Sequence, residues 1–234
     1  KGYHPFTGGE QRLSAIRAYC DFLVAQGRLS KNPAAEVQAI RVAKQETAPE
    51  VLSPQELQKL RREVYKSENK RDIAIFDTLL YTGVRVDELI HLTLDDVEIS
   101  ERKGTLIIRS GKGNKYREVP LSVEARKAIS DYLEVRPATN SQRLFMGERG
   151  PLQTTDAVWR VIKKYARRVG LEQKVHPHLL RHQFATELVR RKKNGRPVDL
   201  STAAGLLGHK NINTTLVYTK PTPEELAQAV EGLF

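Results

Sequence analysis

Residues 104–121 read GTLIIRSGKGNKYREVPL, and the fold class turns on them. Two β-rich runs, 105–109 and 115–119, flank SGKGN, the pattern of two strands joined by a hairpin. No other stretch gives a convincing sheet signal. Lys112 stands between Gly111 and Gly113, whose backbone freedom lets its amine swing toward a ligand. The loop is not a phosphate-binding GxxxxGK[ST] turn, because the spacing and the helix that should follow are missing. Lys115 and Arg117 lie on the second strand as candidate phosphate contacts.

Outward from the hairpin the chain reads as helices. Upstream, LSPQELQKL opens with Ser53 as a cap, Pro54 in the first turn and Glu56 completing a capping box. A helix over 70–81 ends at TGVR, and a short one follows from Val86 to His91. Downstream, helices fit 122–134, 154–169, 178–193, 198–207, 213–219 and 223–232. Near the start, Leu13, Ile16, Ala18, Tyr19, Phe22 and Leu23 recur at helical spacing over 10–26, and Gly27 closes that helix. The stretch to residue 50 carries little that needs burial and reads as a linker. The expected class is mainly α with a small antiparallel β-sheet (α+β).

Composition bounds the function. The net charge is +11, and it is uneven: Ala157–Arg196 carries twelve Lys or Arg against two acids, while Pro221–Phe234 has three glutamates and no base. A basic run of this density makes a polyanion a plausible partner, and a solubilising surface is the plainer alternative. Lys163, Lys164, Arg167 and Arg168 are its candidate polyanion contacts. The lone Cys20 allows no internal disulfide, which suits a reducing compartment. Nothing resembles a signal peptide, and no apolar run of about eighteen residues is present to span a membrane.

Several polar residues stand where chemistry is possible. Arg85 lies between two helices, placed either to point its fork of donors into a cleft or to form a surface ion pair with Glu88, one turn on. In HPHLLRH, His178 and Arg181 share one face at a helix start, where free N–H groups favour an anion. His182 falls one step round, near a buried stripe of Phe184, Leu188 and Val189, and His176 reads as exposed. His178 and His182 have the i, i+4 spacing of a zinc helix, but the HExxH glutamate is missing, so no metal is expected. In LLGHKNINTTLVYTK, Gly208 ends a helix at His209, and Asn211 or Asn213 can cap the next one. That break lets His209 and Tyr218 face one space. A tyrosine needs such company to react, since only about one in a thousand is ionised at neutral pH.

Arg85, Lys112, His178, Arg181, His209 and Tyr218 occur in this order within TGVRVDEL, SGKGNKYREVPL, HPHLLRH, LLGH and TTLVYTK. Together these segments resemble the tyrosine recombinase (phage integrase) family, particularly its bacterial Xer-like and mobile-element members, over about Leu52–Lys220. The resemblance implies a clamp of two domains around duplex DNA. Residues 1–35 would be the last part of a helical core-binding domain, 36–50 a linker and 51–220 the catalytic domain. Residues 221–234 would be a tail helix that docks on a neighbouring subunit or folds back on its own domain. It also implies the six residues as the catalytic set: Tyr218 the nucleophile, Arg85 and Arg181 the phosphate clamp, Lys112 the general acid, His178 the acceptor of the phenol proton and His209 a hydrogen-bond donor to the phosphate. Glu88 and His182 would support them. No cofactor is implied. The implied partners are a duplex recombination site, further copies of the chain in a tetrameric synapse and accessory proteins, in a bacterial cytoplasm and not at a membrane. A type IB topoisomerase-like relaxation of DNA, or a non-catalytic DNA-binding fragment, are the alternatives.

Overall fold

The computed structural model describes residues 9–37, 50–110, 115–190, 192–193, 196–209 and 211–219. Contacts divide the chain into two compact units, Lys1–Glu46 and Thr47–Phe234. The tail expected as a helix over 223–232 and most of the linker, 38–49, lie outside the described residues.

In the first unit, helix α1 runs Gly9–Ala25. Ile16, Tyr19 and Phe22 of its apolar stripe are exposed, whereas Cys20 is buried. The chain after the helix is held along it by polar contacts: Arg17 Nε donates to Ala34 O (3.0 Å), and Asn32 Nδ2 to Arg17 O (3.1 Å).

The second unit is mainly helical with a small antiparallel sheet. Helix α2 (Pro54–Lys66) begins with the capping box: Ser53 N–H donates to Glu56 Oε2 (2.8 Å) and Glu56 N–H to Ser53 Oγ (3.2 Å). Helix α3 (Lys70–Thr82) is started by Asn69 Oδ1, which accepts from Asp72 N–H (3.0 Å). It is buried along most of its length, and α5 (Val123–Val135) and α7 (Pro177–Arg190) pack against it. Its centre is Leu79, Ile75 and Phe76, joined by Leu60, Ile129, Leu106 and Ile108 in one core. Truncating Leu79 to alanine there would cost about 2–5 kcal/mol.

Strands β2 (Gly104–Ser110) and β3 (Lys115–Pro120) form the hairpin, with Ile108 opposite Arg117 and Leu106 opposite Val119. A third strand, β1 (Val97–Ile99), pairs antiparallel with β2. It went unseen in the sequence because three residues carry no period. Two further two-residue pairs, β4–β5 (146–147 with 150–151) and β6–β7 (192–193 with 196–197), were missed for the same reason. The last pair corrects the helix expected over 178–193: α7 stops at Arg190, and the chain turns back at once. Helices α4 (Val86–His91) and α6 (Thr155–Arg168) complete the frame.

The final elements carry the site. Helix α8 (Leu200–Leu207) is capped by Asp199, whose Oδ1 accepts from Ser201 and Thr202 N–H (2.9 and 3.0 Å). It ends at Gly208 in the left-handed conformation (φ +63°), with His209 N–H returning to Ala204 O (3.0 Å). The expected helix 213–219 is one short turn, α9 (Asn213–Leu216), continued by a 3₁₀ turn over Val217–Thr219. Neither asparagine caps α9 in the usual way. Asn211 Oδ1 instead accepts from Asn213 N–H (2.9 Å), closing the turn that precedes the helix.

Candidate active site

The break after α3 places Arg85. Gly83 adopts φ +61°, and a Cβ there would lie 2.3 Å from the Phe184 ring, so both conformation and space demand glycine. Arg85 then stands at the start of α4, with its N–H donating to Glu88 Oε2 (2.8 Å) and its Nη1 to Glu88 Oε1 (2.8 Å). Glu88 also receives both ends of the Arg117 guanidinium, at 2.9 and 2.7 Å. Burial pushes the Glu88 carboxyl up, but Arg117 and Arg85 outweigh it and hold it at about 2. Arg117 was expected to meet DNA phosphate. In the structure its side chain is largely buried and bridges Glu88 to Leu206 O, which makes it a strut of the fold. Strand parity carried the signal, since Arg117 is in phase with buried Val119.

Arg181 lies deeper, on α7, and is 5% exposed. Its Nη1 donates to Gly83 O, and its Nη2 to Leu207 O (2.6 Å) and His209 Nε2 (3.1 Å). Among the described residues no carboxylate forms an ion pair with it. Burial first, then repulsion from Arg85, bring its guanidinium down to about 10; Glu88 pulls the other way, and Arg117 adds a smaller repulsion. It remains charged at neutral pH.

A pattern unites the three arginines. Arg117 Nε bonds Leu206 O (3.0 Å), Arg181 Nη2 bonds Leu207 O and Arg85 Nη2 bonds Gly208 O (3.2 Å). Three successive carbonyls at the negative end of α8 are thus met by three cations.

Beyond that helix end sit His209 and Tyr218. Arginine is a donor only, so His209 Nε2 accepts from Arg181, and the ring carries its proton on Nδ1, which donates to Thr215 Oγ1 (2.9 Å). Burial, followed by the nearby arginines, lowers His209 to about 4. In this arrangement the nitrogen toward Arg181 accepts, so the donor role expected for His209 toward a phosphate requires a proton on that nitrogen. Tyr218 is 5% exposed, packed with Ala185, Val189, Ala203 and Leu207 in a small second core. Its ring centroid lies 6.4 Å from that of His209. Burial raises its pKa, with Arg181 and then Arg85 pulling the other way.

The phenol hydroxyl is 2.8 Å from His182 Nδ1. The group expected there was His178, which is instead exposed in the first turn of α7. The two histidines share a helix face, and position along the axis separates them: His182 lies one turn nearer Ala185 and Val189, which pack on Tyr218, while His178 sits in the first turn. The expected stripe is also shifted, because Phe184 and Leu188 are only half-buried. His176 is not simply exposed either. It is half-buried, stacks on Trp159 with centroids 5.9 Å apart and accepts Leu179 N–H at Nδ1 (3.1 Å), so the helix start is already occupied.

Lys112 and the side chain of Lys115 lie outside the described residues. The candidate DNA contacts of α6 all hold partners within the domain. Lys163 donates to Glu172 O and lies 5.4 Å from the Trp159 ring centroid; Lys164 pairs with Asp72 (3.2 Å), Arg167 with Glu172 (2.7 Å) and Arg168 with Glu63 (3.2 Å). Exposed pairs of this kind are weak and exchangeable. Among the described residues no cluster of three or more His, Cys, Asp or Glu is placed to hold a metal ion, and no helix is long and apolar enough to cross a membrane.

The mainly helical domain with its small sheet is the fold that the comparisons match. The chain belongs to the phage integrase family, whose model covers residues 50–225. Within that family it is Xer-like. It is 36% identical over 224 residues to the tyrosine recombinase XerA of Pyrococcus horikoshii, covering 94% of this chain and 71% of that protein. The crystal structure of XerA recombinase superposes with a TM-score of 0.68 at 32% identity, over 94% of this chain and 82% of that one. The XerH site-specific recombinase, solved bound to difH substrate before cleavage, gives 0.63 at 27% identity, over 80% of this chain and 55% of that one.

Proposed function

We propose that the protein is a site-specific DNA recombinase that cuts and rejoins duplex DNA through Tyr218. The phenol oxygen attacks a scissile phosphate, forming the Oη–P bond as the P–O5′ bond breaks. A 3′-phosphotyrosyl strand and a free 5′-hydroxyl result. Attack by the 5′-hydroxyl of another strand reverses the step, and two rounds exchange strands through a Holliday junction. No nucleotide is consumed, because one phosphodiester-like bond replaces another. Cleavage and religation suit a chain whose relatives are recombinases and whose solved neighbour binds a recombination site.

The observation that carries this reading is Arg181: a buried guanidinium with no carboxylate partner among the described residues, beside Arg85 and the phenol. A buried cation balanced only by carbonyls and an imidazole favours an anion, and a phosphate oxygen is the anion that also meets Tyr218. Arg85 and Arg181 hold the nonbridging oxygens, at about 1.5–3 kcal/mol per charged hydrogen bond. Lys112 protonates the departing 5′ oxygen. His178, at the open end of α7, stays available to the phosphate. The assembly in this reading is a tetramer on two duplex sites, with accessory proteins.

The test is covalent capture. Tyr218→Phe should abolish a denaturation-resistant protein–DNA adduct while leaving DNA binding largely intact; an adduct that persists removes Tyr218 as nucleophile. A 5′-bridging phosphorothiolate substrate, with its better leaving group, should rescue Lys112→Ala more than Arg181→Ala. Equal failure to rescue would reject the acid role. Relaxation of supercoiled DNA without exchange between two sites would make the enzyme a topoisomerase instead.

A further inference from the structure

The nucleophile's own surroundings raise a question that the catalytic set leaves open: which group receives the phenol proton. The structure assigns this role to His182, whose Nδ1 lies 2.8 Å from the Tyr218 hydroxyl, an assignment that rests on Tyr218 as the nucleophile. The contact joins the buried phenol of Tyr218 to a half-buried imidazole, and the ring is held at a centroid distance of 5.7 Å from the phenol. It is therefore a built contact and not a chance surface encounter.

The direction of the bond follows from the two acids involved. A phenol is a far stronger acid than a neutral imidazole N–H, and an imidazole nitrogen is a better acceptor than a phenol oxygen. The Tyr218 O–H therefore donates, and Nδ1 accepts with its lone pair. The groups that face His182 are His176, His178 and Arg181 from α7 and its cap, His209 from the turn after α8 and Tyr218 itself. Burial first, then His176, His178 and Arg181, depress the imidazole pKa. The ring is thus a free base at neutral pH, the form a proton acceptor needs. A phosphate entering beside Arg181 adds negative charge that raises its basicity when the proton must move.

The step balances. As Oη–P forms, the O–H bond breaks and its proton passes to Nδ1, leaving an imidazolium. As P–O5′ breaks, the 5′ oxygen takes a proton from Lys112. Religation runs the reverse course, with His182 returning the proton to the phenol. His209 cannot substitute in this arrangement, because its Nε2 is held by Arg181 and its Nδ1 carries the proton.

Two measurements test the assignment. Nitrogen-15 NMR of histidine-labelled protein reads the tautomer without DNA: an unprotonated Nδ1 on His182 is expected at pH 7.5, and a protonated Nδ1 overturns the proposal. For the reaction, a nicked duplex is selected from a random-sequence pool by covalent capture. His182→Asn keeps a polar group near Nδ1 but cannot take a proton. It should slow adduct formation by roughly 10²-fold or more, flatten the acid limb of the pH–rate profile and be partly rescued by a fluorinated, more acidic tyrosine at 218. His182→Ala, with its melting temperature measured alongside, should lose as much. Adduct formation by His182→Asn at the parental rate, with Tyr218→Phe inactive, sinks the proton role while leaving the nucleophile standing. An adduct in Tyr218→Phe would sink both.

Discussion

Arg117 and Arg181 press on the same end of α8 from different sides, and they are balanced in opposite ways. Arg117 meets Glu88 through two hydrogen bonds and a backbone carbonyl. Arg181 meets two carbonyls and a neutral imidazole. Burial of a paired charge makes an anchor, and burial of an unpaired one makes a receptor. The contrast separates the part of the site that holds the fold from the part that waits for substrate.

The largest effect should come from the receptor side. Arg181→Lys keeps the charge but loses the planar fork, and covalent adduct formation should fall by about 10³-fold or more. Its melting temperature should stay within about 3 °C of the parent. On the anchor side the order reverses. Arg117→Ala leaves Glu88 with half its partners and should cost about 3–5 kcal/mol, read by urea denaturation, with cleavage falling only as the folded fraction does. Parental stability in that variant would break the distinction.

Glu88→Gln sharpens the same point through pH. Glu88 titrates at about 2 in the fold against an ordinary 4.5, so the native state holds its proton less tightly than the unfolded chain. The stabilisation, about 3 kcal/mol from that shift, is present above the ordinary carboxylate range and is lost as pH falls from about 4.5 toward 2. The variant should lack that contribution to the acid limb of its stability curve. The smallest effect is inorganic phosphate. At tenfold its dissociation constant it should stabilise the parent by about 1.4 kcal/mol, and Arg181→Ala should abolish that gain in a thermal melt.

Sequence patterns carried much of the fold because local rules agree with packing here. Ser53 and Glu56 form the box their spacing predicts, and the hairpin runs fall in register around the expected turn. What was illegible was either too short to have a period, as in β1, or was decided across the fold. Arg117 and the α6 cations look alike as letters; parity places Arg117 with Val119, but only the fold shows that it turns to Glu88. His178 and His182 posed the same difficulty. Motif spacing favoured the first, and contact with a residue on another element selected the second.

The carbonyls of Leu206, Leu207 and Gly208 have a last implication. Two of the three donors they engage, Arg85 and Arg181, are the ones proposed above to hold a phosphate, so the carbonyl oxygens stand where that substrate's oxygens would. If the proposed phosphate clamp is right, substrate and the carbonyls of Leu207 and Gly208 compete for the same two guanidinium groups at the turn that leads to Tyr218.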